Sequence, residues 1–384
     1  MEKGLSAIIS IVVPTYNEKE NPRRVYEALS AAFNSHDFEL IFVDDSKDKE
    51  SIAILNGIQE EFEEVRVLHR ENEKGLGTAV VRGFEMAQGD MIAVMDADLQ
   101  HPPELLVEMV EQMKLGYDIV IPSRFVPGGD DGGLSPFRKF VSWTARVMGQ
   151  FALKRVRAVS DPTSGFFLVK RKVIEGIELR PIGWKILIEV LVRGNYATVI
   201  EVPYAFQPRI AGSSNMSMKE QWNYIKHLVR LISDSPEDRR MYLFALVGVS
   251  GVLINLLIYA MFVHLHMAIW LAGFTSGTIA MISNFYFNDR LTWNDSRQGF
   301  WLNRFIKYVL TSLIGIAINT VILSALVYGV HFHYLFANII GICVAMVWNF
   351  IVNNFWTWNM EKKKIEVTIS LGNSENKNLE TSKG

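Results

Sequence analysis

Two long segments of the chain contain no charged side chain. No Asp, Glu, Lys or Arg occurs from Tyr242 to Asn288 or from Tyr308 to Met360. A charge at the centre of a bilayer costs ~2.5–3.5 kcal/mol on insertion scales, so lipid selects segments of this kind. Because a spanning helix needs about 20 apolar residues, each segment has room for two spans. The sequence therefore predicts an all-α transmembrane domain of four helices that follows a soluble region.

The soluble region alternates apolar runs with helical patterns, which predicts an α/β fold with a mainly parallel sheet. The apolar runs are rich in Val, Ile and Phe and predict buried strands at Ile8–Val13, Phe38–Val43, Val65–His69, Met91–Met95 and Asp118–Ile121. The segments with helical periodicity are Asn21–Phe33, Ser51–Phe62, Gly75–Gln88 and Pro103–Leu115. Ligands of such sheets bind at the carboxyl ends of the strands, so we expect the functional residues there.

Charge and cysteine content exclude several classes of protein. The 384 residues include 39 Lys+Arg and 41 Asp+Glu, so the chain lacks the basic excess of a nucleic-acid-binding protein. The single cysteine, Cys343, excludes a disulfide framework and a cysteine-rich metal site. The apolar stretch Leu5–Pro14 lacks a basic region and a cleavage site, so we interpret it as a strand and not as a signal peptide.

Two segments between the predicted sheet and the spans have amphipathic patterns. Arg138–Val159 and Met218–Ile232 interleave basic with aromatic and aliphatic residues. This pattern is typical of helices that lie in a membrane interface. Packing on the soluble domain is the alternative for each, and their position upstream of the spans favours the interface.

The predicted membrane domain contains an internal repeat of a helical hairpin. Gly251–Asn255 recurs as Gly315–Asn319, and the pattern that begins at Asn284 recurs from Asn349. Basic residues occur between the hairpins and after the last span, at Arg290, Arg297, Arg304, Lys307, Lys362, Lys363 and Lys364. The positive-inside rule then places the soluble domain and both termini in the cytoplasm. Apart from peripheral histidines, the spans contain no ionisable residue, which disfavours an ion-coupled transporter but leaves a lipid flippase or a plain anchor open.

Acidic and polar residues follow three of the predicted strands. Asp96 and Asp98, in the run Asp96-Ala97-Asp98-Leu99-Gln100, come directly after an apolar strand. Two such carboxylates can share one hard cation with the oxygens of a diphosphate. Each can instead cap the following helix. The runs Pro14–Glu18 and Asp44–Ser46 follow two further strands, so one shared site is favoured over separate caps.

These motifs, together with Ser123-Arg124 and Asp161–Phe166, resemble inverting glycosyltransferases of the GT-A fold (Rossmann-like). More narrowly, they resemble the polyprenol-phosphate (dolichyl-phosphate) mannose synthases over about the first 215 residues. The four-span region resembles the GtrA-like domains that are fused to some of these enzymes. The implied organisation is a catalytic domain at 1–215, an amphipathic juxtamembrane segment at 216–240, the membrane domain at 241–360 and a disordered cytoplasmic tail at 361–384.

The resemblance implies roles for individual residues. It assigns the nucleotide sugar to Pro14, Tyr16, Glu18, Asp44, Asp96, Ala97, Asp98, Gln100, Lys185 and Arg209. It assigns a divalent cation, Mg²⁺ or Mn²⁺, to Asp96, Asp98 and Gln100. It assigns the lipid phosphate to Arg124, Arg138 and Ser142, and the catalysis of transfer to Asp98, Arg124 and Arg209. The family pattern often continues with lysine where this chain has Asn215.

The implied reaction transfers mannose from GDP-mannose to dolichyl or polyprenyl phosphate with inversion, which gives a lipid-linked β-mannosyl donor for protein glycosylation. A glucosyltransferase that uses UDP-glucose is the nearest alternative. A processive polysaccharide synthase shares the fold, but its Gln-x-x-Arg-Trp motif is absent from this sequence. A flippase or membrane anchor with a regulatory soluble domain is the alternative from another class.

Overall fold

A computed structural model describes residues 9–33, 38–130, 132, 136–205, 218–359 and 366–369 of the chain. The strands are β1 Ile9–Thr15, β2 Phe38–Asp44, β3 Val65–His69, β4 Met91–Val94, β5 Ile119–Ser123, β6 Phe167–Lys170, β7 Thr198–Pro203 and β8 Glu366–Ile369. The helices of the first part are α1 Asn21–Ala32, α2 Lys49–Glu61, α3 Leu76–Met86, α4 Leu105–Lys114, α5 Pro136–Ala152, α6 Arg171–Ile174, α7 Ile186–Arg193 and α8 Met218–Asp234. Four longer helices follow, α9 Pro236–His264, α10 Ile269–Phe287, α11 Trp301–Ser324 and α12 Tyr334–Val352.

The strands form one mainly parallel sheet, which confirms the predicted GT-A-like fold. Within the described ranges their order is β3-β2-β1-β4-β6-β5-β7-β8, and only β6 runs antiparallel to its neighbours. The pairing of Val12 with Val94 sets the carboxyl ends of β1 and β4 side by side. The residues that follow these two strands therefore meet at one edge of the sheet, as in other open α/β sheets.

Both faces of the sheet are covered by apolar side chains. Val12, Ile41 and Val94 point into a core on one face, whereas Ile11, Leu40 and Ala93 point into a second core on the other. Alternate residues of one strand thus serve opposite cores, because successive strand side chains point in opposite directions. A strand buried on both faces needs a continuous apolar run, which explains why the pattern located β1 to β5 within one or two residues.

The last strand corrects the prediction that 361–384 is a disordered tail. Glu366–Ile369 forms β8 and pairs in parallel with Thr198–Glu201 of β7. The prediction was wrong for these four residues because the segment gains its strand structure from a partner 165 or more residues earlier, which local composition does not reveal. The rest of 361–384 lies outside the described residues.

The chain divides into two compact units. One comprises residues 1–232 and 364–384, and the other comprises 233–363. Helix α9 of the second unit begins at Pro236 because the Ser235 side chain accepts a hydrogen bond from Asp238 N, which caps the helix.

Helices α9 to α12 make up the second unit. In the described residues, three segments are long and apolar enough to cross a bilayer: Pro236–His264, Trp301–Gly329 and Tyr334–Thr357. They confirm that the chain is a membrane protein. The fourth predicted span corresponds to α10, which is 19 residues long, carries Thr275, Ser276 and Asn284 among others, and is not one of these three segments.

The two helix pairs of this unit have the same kind of close contact, in which a glycine of one helix faces an asparagine of the next. A side chain on Gly251 would collide with Asn284, and one on Gly315 would collide with Asn349, so glycine lets each pair approach. The aromatic ends also match. The rings of Trp293 and Trp358 stack with centroids 4.1 Å apart.

Hydrogen bonds tie these two tryptophans to opposite hairpins. Trp293 Nε1 donates to Asn354 Oδ1 at 3.2 Å, and Trp358 Nε1 donates to Asp289 Oδ1 at 3.1 Å. Asp289 also accepts from Arg304 Nε at 2.8 Å in a buried ion pair. Each hairpin therefore completes the polar contacts of the other.

The two amphipathic segments form helices α5 and α8, and each has a buried and an exposed apolar face. Tyr224 and Leu231 of α8 join the core, and the Tyr224 hydroxyl donates to Ala145 O of α5 at 2.6 Å. Trp143 of α5 and Trp222 of α8 are more than half exposed. One face of each helix thus packs on the soluble domain, as the predicted alternative states. Another face carries exposed apolar side chains.

Candidate active site

The acidic motif lies where β4 ends, between the ends of β1 and β6. Backbone turning is tight here, since Leu99 has a φ of +55° and Gln100 N donates to Asp98 Oδ1 at 3.2 Å. Ala97 and Gln100 are buried, whereas the Asp96 side chain is 37% exposed. The sheet thus holds the motif rigidly and leaves the Asp96 carboxylate accessible to a ligand.

A glycine on the neighbouring loop keeps that carboxylate accessible from one side. A Cβ on Gly165 would lie 3.0 Å from Asp96 Oδ2, so a side chain here would press on the carboxylate. His101 Nε2 lies 3.7 Å from the same oxygen, and its ring packs against Phe166 and Tyr204. The loop before β6 therefore forms one wall of the site.

The residues after β1 supply a solvent-facing aromatic ring. Tyr16 is 51% exposed, and Lys74 Nζ lies 5.7 Å from its ring centroid. Glu18 accepts a hydrogen bond from Asn21 Nδ2 at 2.7 Å, which ties it to the start of α1. Asn17 has a φ of +54°, and its N–H donates to Ser46 Oγ. Pro14 and Tyr16 thus lie at the same sheet edge as Asp96, as predicted from the strand ends.

The residues after β2 are engaged within the protein. Asp44 is fully buried and accepts from Thr15 Oγ1 and Ser46 Oγ, while its other oxygen contacts His69 Nδ1 at 2.9 Å. The next residue, Asp45, forms two 2.7 Å hydrogen bonds with buried Arg70. Asp44 therefore lies beneath the site and holds the β1 and β2 ends together, and its contact with a nucleotide stays a prediction.

Arg124, at the end of β5, is held by a buried carboxylate. Its Nε and Nη2 donate to Asp161 Oδ2 at 3.0 and 2.9 Å, and Asp161 is fully buried. Glu201 on β7 fixes the loop that carries Asp161 by accepting from Ser160 N, Ser160 Oγ and Asp161 N. Burial raises the pKa of Glu201, and these hydrogen bonds oppose the rise. Asp161 thus holds the guanidinium of Arg124, and Glu201 holds the loop that carries Asp161.

Tyr204 connects the acidic motif with the end of β5. Its ring packs against His101, whose Nε2 lies 3.7 Å from Asp96 Oδ2, and its N–H donates to Ser123 O at 3.4 Å. Burial raises the pKa of this tyrosine, Arg124 lowers it, and Asp161, Asp96 and Asp98 raise it further. The acidic motif and Arg124 are therefore within electrostatic range of one hydroxyl. Asp96, which the sequence assigned to the donor, and Arg124, which it assigned to the acceptor, therefore lie near the same tyrosine.

Lys185 lies at the start of α7, close to the same group. Desolvation lowers the pKa of its ammonium group to about 8. The negative charge of Asp161 opposes this fall, and the positive charge of Arg124 adds to it. Its Nζ lies 5.5 Å from the ring centroid of Tyr224 on α8. A lysine desolvated in this way is stabilised in its charged form by any anion that binds beside it.

Several predicted residues cannot be placed by contacts. Arg209 lies outside the described residues, as does Asn215. Arg138 lies in α5 with its side chain outside the description, and Ser142 lies half-buried one turn further along. Their roles toward the lipid phosphate stay predictions.

The acidic motif suits a divalent cation that takes only a few of its ligands from the protein. In the described part of the chain, no three His, Cys, Asp or Glu side chains cluster as a metal site. Asp96, Asp98 and Gln100 provide two carboxylates and an amide. Mg²⁺ is commonly bound through one or two carboxylates plus substrate phosphates and water, so a cage of protein ligands is not required.

Sequence reasoning missed the residues that support this site. Asp161 belongs to the motif Asp161–Phe166, but no role was predicted for it. Glu201, Arg70 and Tyr204 were not predicted as site residues. Glu201 had a detectable signal, because it is the one acidic residue in the apolar run from Val199 to Val202. A lone carboxylate in a buried strand needs hydrogen-bond partners and so marks a polar network.

Comparison with known proteins agrees with this geometry. The family model for glycosyl transferase family 2 matches residues 10–177, and the model for the GtrA/DPMS transmembrane domain matches residues 243–358. A dolichol-phosphate mannosyltransferase from Pyrococcus furiosus is 37% identical over 350 residues, which cover 91% of this chain and 99% of that protein. A dolichol-phosphate mannosyltransferase from Saccharomyces cerevisiae is 34% identical over 239 residues, which cover 59% and 88%.

Solved structures with a similar fold include glucosyl-3-phosphoglycerate synthase from Mycobacterium tuberculosis. Its complex with Mn²⁺, UDP-glucose and phosphoglyceric acid matches 59% of this chain and 79% of that chain, at 19% identity and a TM-score of 0.44. The resemblance inferred from the motifs is confirmed by the sequence relatives. The chain is a glycosyltransferase and belongs to the dolichol-phosphate mannosyltransferase family, with a catalytic family 2 domain and a GtrA/DPMS membrane domain.

Proposed function

We propose that this enzyme transfers mannose from GDP-mannose to a dolichyl or polyprenyl phosphate with inversion at the anomeric carbon. The observation that carries the proposal is that Asp96 and Arg124 lie near one tyrosine at the same edge of the sheet. The His101 ring contacts both Asp96 and Tyr204, and the Tyr204 N–H donates to Ser123 O, next to Arg124. A site for this reaction must hold two anions, the donor diphosphate and the acceptor phosphate, within reach of each other. A relative that is 37% identical over 91% of the chain is named dolichol-phosphate mannosyltransferase.

The donor is assigned to the edge formed by β1 and β4. Tyr16 offers an exposed ring for the base, and Asp96, Asp98 and Gln100 would hold the divalent cation, Mg²⁺ or Mn²⁺. Such a cation, when bound, neutralises charge on the leaving diphosphate. Lys185 and Arg209 are assigned to the same phosphates, and the low pKa of Lys185 makes its charge sensitive to their arrival.

The acceptor is assigned to Arg124, Arg138 and Ser142. A phosphate monoester is mostly ionised near neutral pH, since its second pKa is about 6. It can attack the anomeric carbon without a protein base. The contribution of this chain is therefore to orient the two substrates and to offset the repulsion between them. One in-line displacement converts an α-linked donor into a β-linked product.

We also propose that the membrane unit crosses the bilayer four times with the catalytic domain in the cytoplasm. Strand β8 follows the membrane unit and pairs with β7, which precedes it. Both ends of the unit must then lie on one side of the bilayer, which requires an even number of crossings. This supports α10 as a fourth span in addition to the three segments that are long and apolar enough by themselves.

The exposed aromatic residues of α5 and α8 support a catalytic domain that works at the membrane surface. Phe140, Trp143 and Phe151 on α5 are each at least half exposed, and α8 adds Trp222. Large apolar side chains that line one helix face are suited to the headgroup boundary of a bilayer. An acceptor whose chain is embedded in lipid would meet the site from this direction.

The test is incubation of the purified chain with labelled GDP-mannose and with labelled UDP-glucose in turn, with polyprenyl phosphate as acceptor. We expect a mannosyl lipid from GDP-mannose and none from UDP-glucose. If only glucosyl lipid forms, UDP-glucose is the donor and the proposed GDP-mannose is wrong. If neither donor gives a lipid product, the proposed transfer reaction is overturned.

Asp98→Ala is the matched variant for the same assay. We expect it to abolish transfer while the chain remains folded and inserted, because it removes one of the two carboxylates offered to the cation. Full activity in this variant would remove the role of the acidic motif. Glu104→Ala, an exposed carboxylate at the start of the next helix, is the control and should transfer normally.

A further inference from the structure

Helix α5 carries a second arginine that faces the acceptor region. Arg146 follows Arg138 by two helical turns and Ser142 by one. Residues four apart lie on the same face of a helix, so the three positions form one row. The first two were assigned to the lipid phosphate, and the third was not singled out in the sequence.

Contacts place the guanidinium groups of Arg146 and Arg124 against the same aromatic ring. Its Cζ lies 4.2 Å from the ring centroid of Phe125, and the Cζ of Arg124 lies 5.3 Å from the same centroid. One partly exposed aromatic ring therefore holds two cationic groups. Cation–π stacking fixes the plane of a guanidinium and leaves its N–H groups at the edge available to an anion.

The charges of the two arginines differ in how they are balanced. Arg124 is paired with the buried carboxylate of Asp161 at 2.9 Å. Arg146 forms no ion pair with any residue that the structure describes, and its buried Nε has no hydrogen-bond partner there. A buried polar atom without a partner is costly, so such an atom marks a place where a ligand can supply the missing contact.

We propose that Arg146 binds the phosphate oxygens of the lipid acceptor beside Arg124. This inference rests on the proposed transfer to a polyprenyl phosphate. The acceptor monoester carries a charge of about −1.5 to −2 at pH 7, and Asp161 already offsets the charge of Arg124. Arg146 supplies the uncompensated positive charge that such a group needs. Its stacking on Phe125 holds it in place before the lipid arrives.

The experiment compares Arg146→Met, Arg146→Lys and the unchanged full-length chain in steady-state transfer, with donor and acceptor varied separately. Methionine keeps an unbranched stem against Phe125 and removes the charge, whereas lysine keeps the charge. We expect Arg146→Met to raise the KM for polyprenyl phosphate about 10- to 100-fold, the range for a charged hydrogen bond, with the KM for the donor unchanged. Arg146→Lys should recover part of the loss.

Arg157 provides the matched control. It is an exposed arginine just beyond α5, and its guanidinium donates only to the backbone carbonyls of Gln150 and Phe151 among the described residues. Arg157→Met should leave both KM values unchanged. Normal acceptor KM in Arg146→Met would overturn the proposal. An equal rise in both KM values, or a loss of thermal stability that lysine does not restore, would indicate packing on Phe125 and would overturn it as well.

A binding measurement without donor separates this inference from the proposed function. The unchanged chain should bind polyprenyl phosphate more tightly than Arg146→Met does, and both should bind polyprenol, which lacks the phosphate, equally weakly. If the unchanged chain transfers no sugar but retains this difference, the transfer reaction fails and the phosphate contact of Arg146 stands. If the two chains bind the lipid phosphate equally, the inference fails whatever the transfer assay shows.

Discussion

Two strand ends in this protein each carry a pair of acidic residues, Asp44 and Asp45 after β2 and Asp96 and Asp98 after β4, and the two pairs have different surroundings. At the end of β2, Asp44 is fully buried and Asp45 nearly so, and Asp45 is paired with Arg70. At the end of β4, Asp96 is more than a third exposed at the edge of the site. Similar motifs at equivalent positions of the sheet thus serve the fold in one case and are available for chemistry in the other. Burial and partners distinguish them, and residue type does not.

The largest expected effect is the loss of stability when the β2 pair is broken. Asp45→Asn removes the buried counter-charge of the Arg70 side chain, which is 3% exposed, and leaves only the half-exposed Glu73 to pair with it. Breaking a buried pair in this way costs about 3–5 kcal/mol of unfolding free energy. Thermal unfolding of the full chain measures the effect. Glu73→Gln, which removes the half-exposed partner of the same arginine, should change stability by less than about 1 kcal/mol.

The double variant Asp45→Asn/Arg70→Met sharpens this test. It removes both charges, so stability should recover relative to Asp45→Asn alone, because no unpaired charge remains buried. Equal instability of the single and double variants would mean that the Asp45 contact with Gly75 N, and not the ion pair, holds this end of the sheet.

The β4 end should respond in the opposite way. We expect Asp96→Asn to lower kcat about 100- to 1000-fold, the range for losing one electrostatic contact to developing charge, with an unchanged unfolding temperature. Transfer assays and thermal unfolding of the same sample measure both quantities. A fall in stability as large as that of Asp45→Asn would contradict the contrast between the two strand ends.

The smallest expected effect is a pH dependence of donor binding through Lys185. Its pKa of about 8 means that its charge is complete below about pH 7 and is lost as the pH rises through 8. Because the donor is an anion throughout this range, its affinity should fall above pH 8 by at most about tenfold per pH unit. Lys185→Arg keeps its charge and should give a flat profile between pH 7 and 9. A flat profile in the unchanged chain would exclude Lys185 from the donor phosphates.

Sequence patterns predicted the parts of the fold that depend on local information. Continuous apolar runs located β1 to β5, and charge-free segments located the membrane unit. Strands β6 and β7 were not predicted, since β6 is only four residues long and β7 contains Glu201 and Pro203. Their strand character comes from neighbours that are distant in sequence.

The candidate site was predicted from the residues that follow apolar strands, but their separate tasks were not. The sequence grouped Asp44 with Asp96, because neither burial nor hydrogen-bond partners can be deduced from a motif. Asp161 and Arg146 act through contacts with Arg124 and Phe125, which are between 20 and 40 residues away along the chain. Such pairs become visible only when the sheet has assembled.

The position of β8 has a consequence for the order in which this enzyme is made. The catalytic sheet starts at Ile9 and ends at Ile369, with the whole membrane unit inserted between β7 and β8. A ribosome must therefore release all the membrane helices before the final strand can reach its place. Until then the edge of β7 has no β8 partner, and unpaired strand edges invite association with other chains. The sheet can therefore be completed only after the whole membrane unit has been synthesised.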